Sequence, residues 1–105
     1  MMTHLAFYIN AIKNGNSVVC LLQERKKDIS AEVERTASLW QHANGVIIRC
    51  IREDELLPDT YHLCPECWIL WEVVDACGMS IRPMKKNFHN PCQEVFWLGM
   101  QLSQD

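Results

Sequence analysis

Cys64-Pro65-Glu66-Cys67 and His89-Asn90-Pro91-Cys92 are the two stretches whose reading decides what this chain is. Each holds two metal-ligand side chains two residues apart, and 21 residues separate them. Two such pairs supply the four soft or borderline donors of a closed tetrahedral Zn²⁺ site. A C-x2-C turn folds back on itself, so that both thiolates face one ion. His89 and Cys92 do the same at a helix start: Asn90 suits the N-cap, Pro91 the first helical position, and Glu94 the first turn. The expectation is one structural zinc held by Cys64, Cys67, His89 and Cys92. His62 and Cys77 are spare donors, either of which can stand in for His89.

The competing reading of Cys64 and Cys67 is a thiol-disulfide redox pair. It requires Cys64 at a helix N-terminus, where the dipole lowers the thiol pKa. Only 38 residues follow Cys67, little for the rest of a βαβ sheet. Arg82-Pro83 is a weak counterpart of a cis-proline loop.

A chain of 105 residues is one domain by length, and its composition, 49% apolar and 22% charged, is that of a globule. No basic start followed by an apolar segment marks an export signal. The longest apolar run, Val18 to Leu22, is far short of a membrane span. Six cysteines without an export signal point to a reducing compartment. A soluble, intracellular, cytoplasmic protein is expected. The net charge is −3, with seven Lys/Arg against eight Asp/Glu in residues 1–61 and three against five in 62–105. Neither part has the clustered basic face of a phosphate-backbone binder. A nucleic-acid-binding zinc finger is therefore the weaker alternative.

Outward from the ligand pairs, two sub-modules are expected, residues 1–57 and 58–105. In the first, Leu5, Phe7, Ile9 and Ala11 alternate as in a strand. Asn14-Gly15 then signals a hairpin returning through Val18–Leu22. A helix over Leu5–Lys13 capped by Gly15 is the competing assignment. Ser30 as N-cap, Glu32 and Glu34 in a first turn, and Val33, Ala37, Trp40 and Ala43 at helical spacing predict a helix ended by Asn44-Gly45. Val46–Ile51 reads as a strand, and Arg52–Asp59 as an acidic linker. The first sub-module is thus ββαβ, a small antiparallel sheet in an α+β fold. Cys20 and Cys50 are read as small hydrophobes.

In the second, Trp68–Val74 favours a strand, although Pro65 and Gly78 bracket a buried helix equally well. Ser80–Met84 pairs back, and Asn90 opens the last helix. Knuckle, hairpin, then a helix bearing the second ligand pair resembles the treble-clef class of zinc fingers. The resemblance covers about 40 residues and rests on spacing, so it fixes no activity.

Four protein ligands leave a zinc no open position for a water, and no catalytic motif or phosphate-cradling glycine loop is present. The chain is accordingly read as non-catalytic. Trp68, Trp71 and Trp97, framed by Glu66 and Glu72, are the candidate contacts for a protein partner. A regulatory accessory protein, including one of phage or virus type acting on a host protein, fits that description.

Overall fold

A computed structural model describes residues 2–55 and 67–103, with only the backbone given for Met2 and Thr3. The elements run β1 (Met2–His4), α1 (Leu5–Asn14), β2 (Val18–Asp28), β3 (Val33–His42), β4 (Ile47–Glu55), β5 (Cys67–Asp75), β6 (Ser80–Arg82), β7 (Lys85–Phe88) and α2 (Pro91–Leu102). Five strands form an antiparallel sheet in the order β2-β3-β4-β5-β7, while β1 and β6 make a separate parallel pair. The class is α+β, with a small antiparallel sheet and two helices.

The expected ββαβ order of the first part is not what forms. Leu5–Asn14 is a helix, because Leu5, Ala6, Tyr8, Ile9 and Ile12 fall on one helical face, and that face is buried. Gly15 sits in the left-handed region at φ 67°, and Gly15 and Asn16 donate their N–H groups to Ile12 and Ala11 carbonyls. Asn14-Gly15 is thus a helix C-cap of Schellman type rather than a hairpin turn.

The second reversal is the expected helix after Ser30, which is strand β3. Ser30 donates its hydroxyl to Asp28 Oδ1 at 2.7 Å, and Ala31 N–H donates to the same oxygen at 3.2 Å. Ser30 belongs to the turn of a long hairpin. β3 then pairs along its length with β2 on one side, from Val33↔Asp28 to His42↔Val18. On the other side it pairs with β4, from Val33↔Glu55 to Gln41↔Ile47. Two ladders of interstrand hydrogen bonds outweigh the small helix preference of this segment.

β4 runs on to Glu55, so Arg52–Glu55 are sheet rather than linker. β5 is a strand and joins both parts of the chain into one sheet, from Ile47↔Asp75 to Asp54↔Cys67. The return hairpin is longer than expected: the pairing back onto β5 is made by β7, with Ile69↔Phe88 and Glu72↔Lys85. The core lies between one face of this sheet and the helices. Leu5, Ile9 and Ile12 of α1 and Leu98 of α2 pack with Ile48, Ile69, Trp71, Phe88 and Ile81.

At the β3–β4 turn, His42 is buried and its Nε2 has no hydrogen-bond partner. The Tyr8 ring meets it edge-on at 4.8 Å. Burial lowers the His42 pKa below its ordinary value. The unfolded chain therefore takes up a proton near pH 6.5 that the folded chain refuses. Stability is full above about pH 6.5 and falls as the pH drops through the unfolded value toward the folded one. Urea unfolding between about pH 7.5 and pH 5 should show this loss, and His42→Phe should reduce it. An unchanged slope in the variant would assign the loss elsewhere.

Candidate metal centre

Cys67 opens β5, and its backbone N–H donates to the His89 carbonyl at 3.0 Å, just past the Ile69↔Phe88 pair. The start of β5 is thereby tied to the end of β7, and the two predicted ligand pairs approach through Cys67 and His89. Asn90 is the N-cap of α2, its side chain accepting from Gln93 N–H at 2.8 Å, with Pro91 at the helix start. The Gln93 side chain in turn accepts from His89 N–H at 2.8 Å. This reciprocal exchange is close to a capping box. It fixes the His89 backbone on both sides and sets Cys92 in the first turn of α2.

The side chains of His89 and Cys92 are exposed, whereas Cys67 is buried. Cys92 is disulfide-bonded, while Cys20, Cys50, Cys67 and Cys77 are free thiols. Among the described residues, no group of three or more His, Cys, Asp or Glu is placed to hold a metal. Cys64, His62 and Glu66 lie outside the described residues. The alternative ligand Cys77 is at the other end of the sheet, beyond the last residue of β5, with its Sγ against Gly45. The nine-residue strand between them separates it from Cys67 by about 25 Å or more. Cys77 is therefore not a substitute ligand.

The thiol environment bears on the redox reading. Burial pushes the Cys67 thiol up, against the lowering effect of Arg52, and Asp54 and Glu94 raise it further. Cys67 stands at a strand start, where no helix dipole favours a thiolate. An activated redox thiol needs the opposite shift. Cys50, half-buried against the core, is pushed up to about 12, mainly by desolvation and then by Glu94. It behaves as the small hydrophobe expected.

The aromatic candidates separate. Trp71 is 5% exposed and donates its indole N–H to Glu94 Oε2 at 2.8 Å, so it is core and not a partner contact. Trp68 is 37% exposed on the opposite side of β5. Leu70 lies on the same side, pairs with Ile51 and is 7% exposed, so that side of β5 is covered beside Trp68. Trp97 is half-buried, packed on Phe88 and capped by the Lys86 ammonium 5.8 Å from its ring. Glu72 is ion-paired with Arg49.

Glu94 has a larger role than a first-turn charge. It is 3% exposed, accepts from Trp71 and is ion-paired with Lys13 of α1. One carboxylate thus joins α2, α1 and β5. Its place on the inward side, one turn before Leu98, was the available signal. Several basic side chains have partners within the chain. Arg25 and Lys27 both pair with Glu34, Arg35 with Glu53, and Lys86 lies over Phe88 and Trp97. No protein-family model matches the chain, and neither do curated proteins or solved structures.

Proposed function

We propose that the protein is a small, non-catalytic zinc-binding module of treble-clef-like design that acts by binding another protein. The observation that carries the metal reading is the Cys67 N–H to His89 carbonyl hydrogen bond at 3.0 Å, with Cys92 one residue inside a properly capped helix. In the reduced chain, Cys64, Cys67, His89 and Cys92 offer three thiolates and one imidazole, a donor set suited to Zn²⁺. Zinc binding and the disulfide at Cys92 are alternative fates of the same thiol, because only a thiolate ligates. The metal holds the start of β5, the end of β7 and the first turn of α2 as one unit.

The partner reading is supported by Trp68, which is 37% exposed at the start of β5. Retention from cell lysate after nuclease treatment, followed by a salt series, tests it. A stoichiometric protein retained through moderate salt, and lost with Trp68→Ala, is the expected result. Retention of nucleic acid alone, abolished by Lys85→Glu with Lys86→Glu and falling steeply with salt, would replace this reading. Measurable thiol-disulfide exchange with neither partner retained would favour the redox alternative.

A further inference from the structure

Strand β2 is 11 residues long and ends the sheet, with β3 on one side and, among the described residues, nothing on the other. Every residue from Val19 to Asp28 is exposed. The hydrogen-bond phase of this edge follows from the bonds at its end. Ala43 donates its N–H to the Ser17 carbonyl at 3.2 Å, and His42 donates to the Val46 carbonyl at 2.9 Å. In β3, therefore, His42, Trp40 and Ser38 bond toward β4, while Gln41, Leu39 and Ala37 bond toward β2. Their partners Val19, Leu22 and Glu24 turn inward. Val18 and Cys20 turn their N–H and C=O groups out of the sheet, and so do Gln23, Arg25 and Lys27 beyond the bulge at Leu21.

A row of unmade main-chain bonds specifies its own occupant, which is another extended chain. We propose that β2 takes up, as a sixth strand, an extended segment of a partner protein in which acidic and apolar residues alternate. The inference rests on the protein-partner reading for the class of partner, and it adds a surface three strands away from Trp68. The alternation is read from the two faces of β2. Gln23, Arg25 and Lys27 share one face, where Arg25 and Lys27 reach the same carboxylate, Glu34, at 3.2 Å and 3.9 Å. Acidic side chains of an added strand lie directly opposite these two cations. Val19 and Leu22 lead the other face, 62% and 45% exposed, beside Leu39 and Ala37 of β3. Apolar side chains of the added strand cover them there.

A second copy of β2 does not fit this edge. Two-fold pairing must set outward groups against outward groups. Centred before Leu21, or at Gln23, it runs into the bulge at once. Centred on Glu24, Arg25, Lys26 or Lys27, it places that charge against itself. Bulge and cations thus bar self-pairing and leave the edge open to a strand of opposite charge.

Amide hydrogen exchange of the full chain, with and without an alternating Glu/Val peptide of about ten residues, tests this. At about 1 mM peptide the N–H groups of Gln23, Arg25 and Lys27 should exchange about tenfold more slowly. Those of Glu24 and Lys26, already bonded to β3, should change little. An alternating Lys/Val peptide should give no protection. Gln23→Pro removes an outward N–H and no bond to β3, a change that edge strands tolerate. It should abolish the protection at Arg25 and Lys27 while keeping the melting temperature near the parent's. Arg25→Gln with Lys27→Gln, which leaves the backbone untouched, should weaken peptide binding about tenfold. No slowing of the outward amides would overturn the proposal, as would equal slowing by the Lys/Val peptide. A mass above the 12.2 kDa of one chain without peptide, with the same amides protected, would make a second copy the occupant and the partner assignment wrong. Trp68→Ala should leave the protection unchanged. Failure of the peptide test with a lysate protein still held through Trp68 therefore sinks the strand-addition inference alone.

Discussion

Cys92→Ser is expected to abolish zinc binding and to unfold α2 together with the β5–β7 pairing beside it. The expectation rests on coupling: a structural zinc contributes about 10 kcal/mol or more to the folding of the segment that holds it. A chain of this size has only about 5–15 kcal/mol of total stability. Without the metal, α2 retains its Asn90 cap and its contacts through Leu98 and Glu94, which do not replace a term of that size. Amide exchange should report loss of protection in residues 85–102, and zinc content should fall to zero. Cys20→Ser is the control, since Cys20 is an exposed free thiol on the edge strand β2. It should leave both metal and fold in place. Metal loss in Cys20→Ser with retention in Cys92→Ser would reject the ligand set.

The second large effect is at Glu94. Lys13→Ala leaves this buried carboxylate with the Trp71 indole as its named donor. Removing one partner of a fully buried pair costs about 3–5 kcal/mol. Lys13 is 42% exposed, so water replaces part of its effect, and about 2–3 kcal/mol is the expected loss. For a domain of this length that is roughly 10–20 °C in melting temperature. Adding Glu94→Met to Lys13→Ala removes the stranded charge and should recover much of the loss. A double-mutant cycle measures the coupling directly. Additive effects of the two substitutions would show that the pair contributes nothing as a pair.

The later part of the chain was the more legible. Asn90, Pro91 and Glu94 mark the start of α2 because capping chemistry is local and acts within one turn. Val18–Leu22, Val46–Ile51 and Trp68–Val74 read as strands because β-branched and aromatic residues are dense there. The first part misled for a definite reason. Residues 5, 7, 9 and 11 alternate while residues 5, 8, 9 and 12 fit a helix, and Asn14-Gly15 serves either a hairpin or a C-cap. Residues 33–43 carry apolar side chains at helical spacing, but β3 lies between two long strands, and pairing partners are distant in sequence. Local spacing cannot see them. The same limit hid the reach of Glu94 to Lys13 and Trp71 and placed Trp71 among the exposed aromatics. The backbone contact of Cys67 with His89 follows from the pairing of β5 with β7, which the ligand spacing alone does not reveal. The distance of Cys77 from them is likewise hidden, because it depends on residues 67–75 being fully extended.

The most direct measurement is the native mass of the fully reduced protein, purified without added metal and kept under a thiol reductant that does not chelate. The account predicts one chain carrying one zinc ion, with the metal lost in Cys92→Ser and kept in Cys20→Ser. A folded, reduced, metal-free chain that takes up no zinc on titration would contradict it.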